Sequence, residues 1–74
     1  MDDEAQFFKA LSDREIKVSL RSRGRIDVAR IALRHGGGGH VNAAGFTAQG
    51  TLDEVTAWVV KEIHQAIKSS QHGR

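Results

Sequence analysis

A run of four glycines followed by a histidine is the part of this sequence whose residue types and spacing most directly suggest chemistry. The segment reads Gly36, Gly37, Gly38, Gly39, His40, Val41, Asn42, Ala43, Ala44, Gly45. Each ordered glycine costs roughly 0.5–1 kcal/mol relative to alanine, so we expect a reason beyond the fold for keeping four. Bare backbone suits a phosphate bound by N–H groups, with His40 as a further donor. The alternative interpretation is a flexible linker.

A cluster of arginines precedes the glycines and would supply positive charge to the same site. The chain carries a net charge of only +2, yet five arginines fall within fourteen residues: Arg21, Arg23, Arg25, Arg30 and Arg34. Local clustering of this kind predicts an anionic partner. The alternative is a solvated arginine face without a ligand.

Other phosphate, metal and nucleophile motifs fit poorly. A Walker loop would end in lysine and Ser/Thr where this chain has His40 and Val41, and a dinucleotide fingerprint would follow a strand rather than a helix. The chain has no cysteine, and its four histidines lack a carboxylate at metal-ligand spacing, so we expect no metal site built by this chain alone. His35 is interpreted as a cation at a helix end and His64 as a surface residue. No complete catalytic triad is indicated around Ser19, Ser22 and His40.

The elements that must position these residues follow from hydrophobic periodicity and capping signals. Strict alternation from Ile16 predicts a strand with Lys17, Ser19 and Arg21 on its polar face. Asp27 is a predicted N-cap, and Gly36 stands where a left-handed residue would end the helix. In chain order we predict strand 5–11, strand 16–22, helix 27–35, strand 43–48 after a turn at 40–42, a helix from the capping box of Thr51 and Glu54, and a disordered tail over 69–74.

This order predicts one α+β domain in two layers, in which helices pack on a small mixed β-sheet as β-β-α-β-α. The 74 residues suffice for one small core. Trp58 lies beside the apolar stripe of the last helix, which favours a core or partner contact over base stacking. The apolar runs are too short to cross a bilayer and the acidic start does not suit a signal peptide, so a cytoplasmic protein without membrane contact is expected.

Residues 16–47 closely resemble the C-terminal, DHH-associated domain of the DHH phosphoesterases. Three blocks carry the resemblance in order: Ile-Lys-Val-Ser-Leu-Arg-Ser-Arg-Gly, Ile-Asp-Val-Ala-Arg-Ile-Ala, and Gly-Gly-Gly-Gly-His-Val-Asn-Ala-Ala-Gly-Phe-Thr. The family includes bacterial oligoribonucleases (nanoRNases), phosphatases of 3′-phosphoadenosine 5′-phosphate and, more distantly, RecJ exonucleases. In these hydrolases an N-terminal domain holds two manganese ions on aspartates and histidines, and the C-terminal domain binds the substrate across a cleft.

The resemblance implies a set of site residues in this chain. Contacts to phosphate or nucleotide are expected from Arg21, Ser22, Arg23, Gly36, Gly37, Gly38, Gly39, His40, Asn42 and Ala43. Of these, His40 would reach the scissile phosphate and stabilise charge during phosphoryl transfer, in the full-length protein only.

The Asp-His-His tripeptide of the catalytic domain is absent from the sequence. We therefore expect an excised substrate-binding domain that has no cofactor of its own, hydrolyses nothing alone and works with a catalytic domain in cis, with a homodimer as a further option. Its ligand would be a nucleotide or short single-stranded RNA or DNA. Alternatives are a cyclic dinucleotide or polyphosphate on the same fold, as in exopolyphosphatase-related proteins. Two further alternatives are a non-catalytic RNA-binding module and a dimerisation domain that uses Trp58 and Phe46.

Overall fold

Four strands and two helices form the computed structural model, which describes residues 4–24 and 26–72. In chain order they are β1 (Glu4–Ser12), β2 (Glu15–Ser22), α1 (Val28–Arg34), β3 (Gly38–His40), β4 (Ala43–Gln49) and α2 (Leu52–His72). Neither described helix has the length and apolarity needed to cross a membrane.

The strands form a single sheet in the order β1-β2-β4-β3, and each neighbouring pair is antiparallel. The predicted α+β class is confirmed, but two details were wrong: the sheet is antiparallel rather than mixed, and β3 is an additional strand. β3 escaped prediction because two of its three residues are glycines, which give no alternation of side chains. The β3–β4 hairpin then reverses the chain, so that β4 runs antiparallel to β2.

The core lies between one face of the sheet and both helices. Ile16, Val18 and Leu20 of β2 are each at most 1% exposed, which confirms the alternation predicted for this strand. Helix α1 contributes Val28, Ile31 and Ala32 to the core, and α2 contributes Val55, Val59 and Ile63. Because both helices cover the same face, the opposite face of the sheet, which we call the open face, carries the polar residues of β2.

The ends of both helices follow their predicted signals, with one difference. The Asp27 side chain accepts the Arg30 N–H at 3.1 Å, and Gly36 adopts φ +83° just after α1. Helix α2 continues to His72, so residues 69–72 are helical rather than disordered. No glycine or proline interrupts the chain between Thr51 and His72, which explains the longer helix. The last two residues of the predicted tail, 73 and 74, lie outside the described residues.

The capping box at the start of α2 leads to a prediction about stability. The Glu54 N–H donates to Thr51 Oγ1 at 3.2 Å, and the Thr51 N–H donates to Glu54 Oε1 at 3.0 Å. Thr51→Ala should lower the free energy of unfolding by about 1 kcal/mol, measured by urea denaturation at pH 7. Asp53→Asn is the control, because it keeps both hydrogen bonds.

The same hydrogen bonds predict a pH dependence. The backbone N–H and hydroxyl of Thr51 hold the pKa of Glu54 below its ordinary value of 4.5. A carboxylate with a lowered pKa stabilises the fold above its unfolded pKa, and that contribution is lost as the pH falls through the folded pKa. Stability should therefore decrease below about pH 4.5 more steeply in the unmodified protein than in Glu54→Gln. Identical acid profiles would contradict this.

Candidate functional site

Three segments of the chain meet at one end of the sheet and bring several of the predicted site residues together. Arg21, near the end of β2, pairs with Ala43 at the start of β4, and Ala43 pairs with His40 at the end of β3. The turn between β3 and β4 is anchored from both sides: the Ser22 N–H donates to the Asn42 carbonyl oxygen at 3.0 Å, and the Val28 N–H donates to the Val41 carbonyl oxygen at 3.1 Å. The hairpin that carries His40 is thereby held against β2 and the start of α1.

Arg21 and His40 share the open face of the sheet. Residues directly opposite one another in antiparallel strands project from the same face, so Arg21, Ala43 and His40 form one row across three strands. Two strand spacings separate the Cα atoms of Arg21 and His40, a distance of about 10 Å. Both side chains are exposed, and only the methyl group of Ala43 lies between them. A guanidinium and an imidazole flanking a shallow gap can donate hydrogen bonds to one phosphate from two sides.

The glycine run is a helix cap followed by a strand rather than an open loop. The Gly36 N–H donates to the Leu33 carbonyl oxygen at 3.2 Å, and the Gly37 N–H donates to that of Ala32 at 2.8 Å. These two donors are used by the C-terminus of α1, and Gly38 and Gly39 lie in β3. The sequence favoured a phosphate bound by the N–H groups of this run, but those of Gly36 and Gly37 already have partners within the chain. That the run contacts a ligand stays a prediction.

Two of the four glycines, Gly37 and Gly39, are required by space, and Gly36 is favoured by its positive φ. The fold therefore accounts for three of the four, which corrects the expectation that it would not keep them. A Cβ on Gly37 would lie 2.6 Å from Phe46 Cβ and closer still to the Gly45 carbonyl oxygen. A Cβ on Gly39 would lie 2.5 Å from Ala44 Cα. Gly38 is different: a Cβ there would meet nothing within 4 Å, and its φ is not positive. Gly38 is thus the glycine of β3 that packing does not explain.

Ser22 lies beside this row but faces the other way. It is 5% exposed, and its Oγ accepts the N–H groups of Gly24 and Ile26, each at 3.3 Å. Its side chain holds the loop after β2, so the structure favours a positioning role over the ligand contact implied by the resemblance. Arg23 and Asn42 are exposed at the same end of the sheet.

The predicted arginine cluster is divided between the two layers. Arg21 projects from the open face, whereas Arg30 and Arg34 lie on α1, which packs against the opposite face. Arg34 forms an ion pair with Glu62 of α2, with 3.3 Å between Nη2 and Oε2. Arg25 lies outside the described residues. Sequence proximity overstated the local charge because the loop after β2 carries the chain to the other side of the sheet.

His35 belongs to an aromatic cluster between the sheet and α2, a role that the sequence did not reveal. Its ring lies 4.8 Å from that of Phe46 and 4.7 Å from that of Trp58, and Nε2 is 2.8 Å from Glu62 Oε1. Trp58 packs against the core as predicted, and His64 is exposed as predicted. Phe46 is only 5% exposed, so it is not available for the surface patch that the dimerisation interpretation requires.

Comparison with known proteins identifies the family of this chain. The DHHA1 domain profile matches residues 3–69. The chain is 45% identical over 53 residues to the bifunctional oligoribonuclease and PAP phosphatase NrnA of Thermus thermophilus, covering 70% of this chain and 16% of that protein. It is 42% identical over 59 residues to NrnA of Mycoplasma genitalium, covering 77% and 18%. The chain thus spans less than a fifth of the length of these relatives.

A solved structure has the same fold. The pGpG-specific phosphodiesterase PggH of Vibrio cholerae superposes with a TM-score of 0.63 at 20% identity, covering 86% of this chain and 24% of that one. The profile covers most of the chain, and the relatives carry the same domain within longer phosphoesterases. The chain therefore belongs to the DHHA1 domain family of the DHH phosphoesterases.

Proposed function

We propose that this domain binds the phosphate of a nucleotide or short single-stranded oligonucleotide and holds it against a DHH catalytic domain in the same polypeptide. The observation that carries the proposal is the row of Arg21, Ala43 and His40 on the open face. The Arg21 guanidinium can donate two parallel hydrogen bonds to a phosphate, and His40 can donate another. The small side chain of Ala43 leaves room for the phosphate between them. Both relatives are named as bifunctional oligoribonucleases and PAP phosphatases, which supports a phosphorylated nucleotide ligand.

In this proposal the chain contributes binding and orientation, not metal chemistry. The manganese ions would be held by aspartates and histidines of the catalytic domain, where they would activate water and neutralise charge. Among the side chains that the structure describes, in residues 4–24 and 26–69, no three of His, Cys, Asp or Glu lie close enough together to hold a metal. His40 would contact the substrate phosphate on the side that faces the catalytic domain. The complete enzyme would be cytoplasmic.

Titration of isotope-labelled protein tests this proposal. We expect 3′-phosphoadenosine 5′-phosphate and a trinucleotide RNA to shift the backbone amides of residues 21–23 and 38–43, equally with and without manganese. Arg21→Ala should weaken both ligands by about ten- to a hundredfold, the effect of losing hydrogen bonds to a charged group. Arg30→Ala is the matched control, because this exposed arginine lies in the other layer.

The same titration separates the rival ligands. Polyphosphate and a cyclic dinucleotide should bind more weakly than the linear nucleotides, and tighter binding of either would reassign the ligand class. The proposed site would be contradicted if these amide signals did not shift at millimolar nucleotide. It would also be contradicted if Arg21→Ala and Arg30→Ala lost affinity equally. Size-exclusion chromatography of the same samples tests the homodimer.

A further inference from the structure

A second row of residues crosses the open face beside the first one. Phe7 of β1, Ser19 of β2, Gly45 of β4 and Gly38 of β3 lie directly opposite one another across the four strands. Three of these four positions have a small side chain or none. They form a bare strip, adjacent to the row that holds Arg21 and His40, and the strip ends at the ring of Phe7. The unexplained glycine Gly38 lies at its other end.

The core does not account for the position of Phe7. Its neighbour Phe8 packs against the core, whereas Phe7 projects from the open face and is 57% exposed. An exposed aromatic ring on the open face of a sheet is a surface on which a nucleobase can stack. The strip leads from the phosphate gap to this ring without an intervening bulky side chain.

Two lysines lie beyond Phe7 on the same face. Lys9 of β1 and Lys17 of β2 are directly opposite one another, and both are exposed. Like charges at directly opposed positions destabilise a sheet. The lysine pair therefore lowers the stability of the free domain, and a bound anion would offset that repulsion. Glu15 is the acidic residue that follows on this face, at the far end of β2 from Arg21.

The lysine pair lies farther from Arg21 than His40 does. Lys17 and Arg21 are four residues apart along β2, which places their Cα atoms about 13 Å apart. Side chains that stand perpendicular to the sheet keep roughly this separation, so a phosphate between Arg21 and His40 is not the nearest anion for the lysines. The two basic positions therefore fit successive phosphates of a chain better than one mononucleotide.

We propose that Phe7, Lys9 and Lys17 form a second nucleotide subsite, in which Phe7 stacks on a base and the lysine pair binds a phosphate further along the strand. The preferred ligand is then a single-stranded oligonucleotide rather than a mononucleotide. This inference rests on the proposed function, because the first phosphate is the one bound between Arg21 and His40.

Affinities for two ligands test the subsite: 3′-phosphoadenosine 5′-phosphate and the trinucleotide pApApA. Phe7→Ala should weaken the trinucleotide by about five- to a hundredfold, the range seen when one base loses its stacking partner, and leave the mononucleotide unchanged. Phe7→Trp should restore trinucleotide binding. The double variant Lys9→Ala/Lys17→Ala should reduce the salt dependence of trinucleotide binding by about 0.7 in log–log slope for each phosphate that the lysines no longer neutralise.

Matched controls lie in the other layer. Leu33→Ala removes an apolar side chain that is 67% exposed on α1, and Lys61→Ala removes an exposed lysine of α2. Neither should change either affinity. Because Phe7, Lys9 and Lys17 are exposed, no variant should unfold at a clearly lower temperature than the unmodified protein, and the double lysine variant, which removes a like-charge pair, should be at least as stable.

The outcomes distinguish this inference from the proposed function. If Arg21→Ala weakens both ligands while the Phe7 and lysine variants leave the trinucleotide unchanged, the subsite is refuted and the phosphate site stands. Equal weakening of both ligands by Phe7→Ala also refutes it, because Phe7 would then belong to the mononucleotide site. Indifference of both ligands to Arg21→Ala refutes the phosphate site, and the subsite with it.

Discussion

Gly37→Ala is expected to lower the free energy of unfolding by about 3 kcal/mol, the upper part of the usual range for forcing extra volume into a packed site. The added methyl group would collide with the backbone of β4 at Gly45 and with Phe46, which is itself buried. Backbone cannot rotate away as a side chain can, so the hairpin would have to move. A domain of this size has a total stability of only about 4–11 kcal/mol, so the loss is a large fraction.

Gly38→Ala is the control that separates packing from function, because its Cβ meets nothing within 4 Å. We expect its unfolding curve to stay within about 0.5 kcal/mol of the unmodified protein, as for ordinary surface substitutions. Urea denaturation of both variants, followed by Trp58 fluorescence, measures the difference. Equal stability of the two variants would show that the close approach of Gly37 to β4 is wrong.

The second large effect concerns His40 and hydrolysis. The chain alone should release no product from 3′-phosphoadenosine 5′-phosphate or short RNA in manganese buffer, because its sequence lacks the Asp-His-His tripeptide of the catalytic domain. When the chain is joined to such a domain, His40→Ala should lower kcat by about a hundred- to a thousandfold, the usual cost of losing one donor at a transition-state charge. Product release over time, measured for both proteins, checks this.

His64→Ala is the matched control, since this histidine is exposed on α2, away from the open face. Its rate should equal that of the unmodified fusion. Manganese-dependent turnover by the isolated chain that disappears in His40→Ala would contradict the assignment of catalysis to a separate domain.

Strong local signals in the sequence correctly predicted several elements. The alternation of β2, the N-cap at Asp27 and the reciprocal hydrogen bonds of Thr51 and Glu54 each depend on neighbours within four residues. Periodicity and capping report such local geometry directly. The resemblance to a family then identified the segment from Ile16 to Thr47, which the profile match confirms.

What escaped prediction depends on register between distant strands. The sequence places Arg21 and His40 nineteen positions apart, and only the pairing of both with Ala43 puts them in one row. β3 was missed because glycines show no alternation of polar and apolar side chains, and a run of glycines is therefore interpreted as a loop. Predicting that Arg21 lies far from Arg30 and Arg34 would also have required the path of the chain from one face of the sheet to the other. Amino-acid composition gives no information about that path.

The tie between the Val41–Asn42 turn, β2 and α1 has a consequence for how the domain opens. Ser22 and Val28 donate their N–H groups to that turn, so the hairpin bearing His40 cannot detach without breaking contacts at the centre of the sheet and at the start of a helix. The gap between Arg21 and His40 therefore depends on the packing of β2 and α1 as well as on the hairpin, and we expect its loss to coincide with global unfolding rather than with local fraying. A ligand held there would raise the melting temperature of the entire domain as its concentration increases, and would slow hydrogen exchange at the Ser22 and Val28 amides to the same extent as in the core.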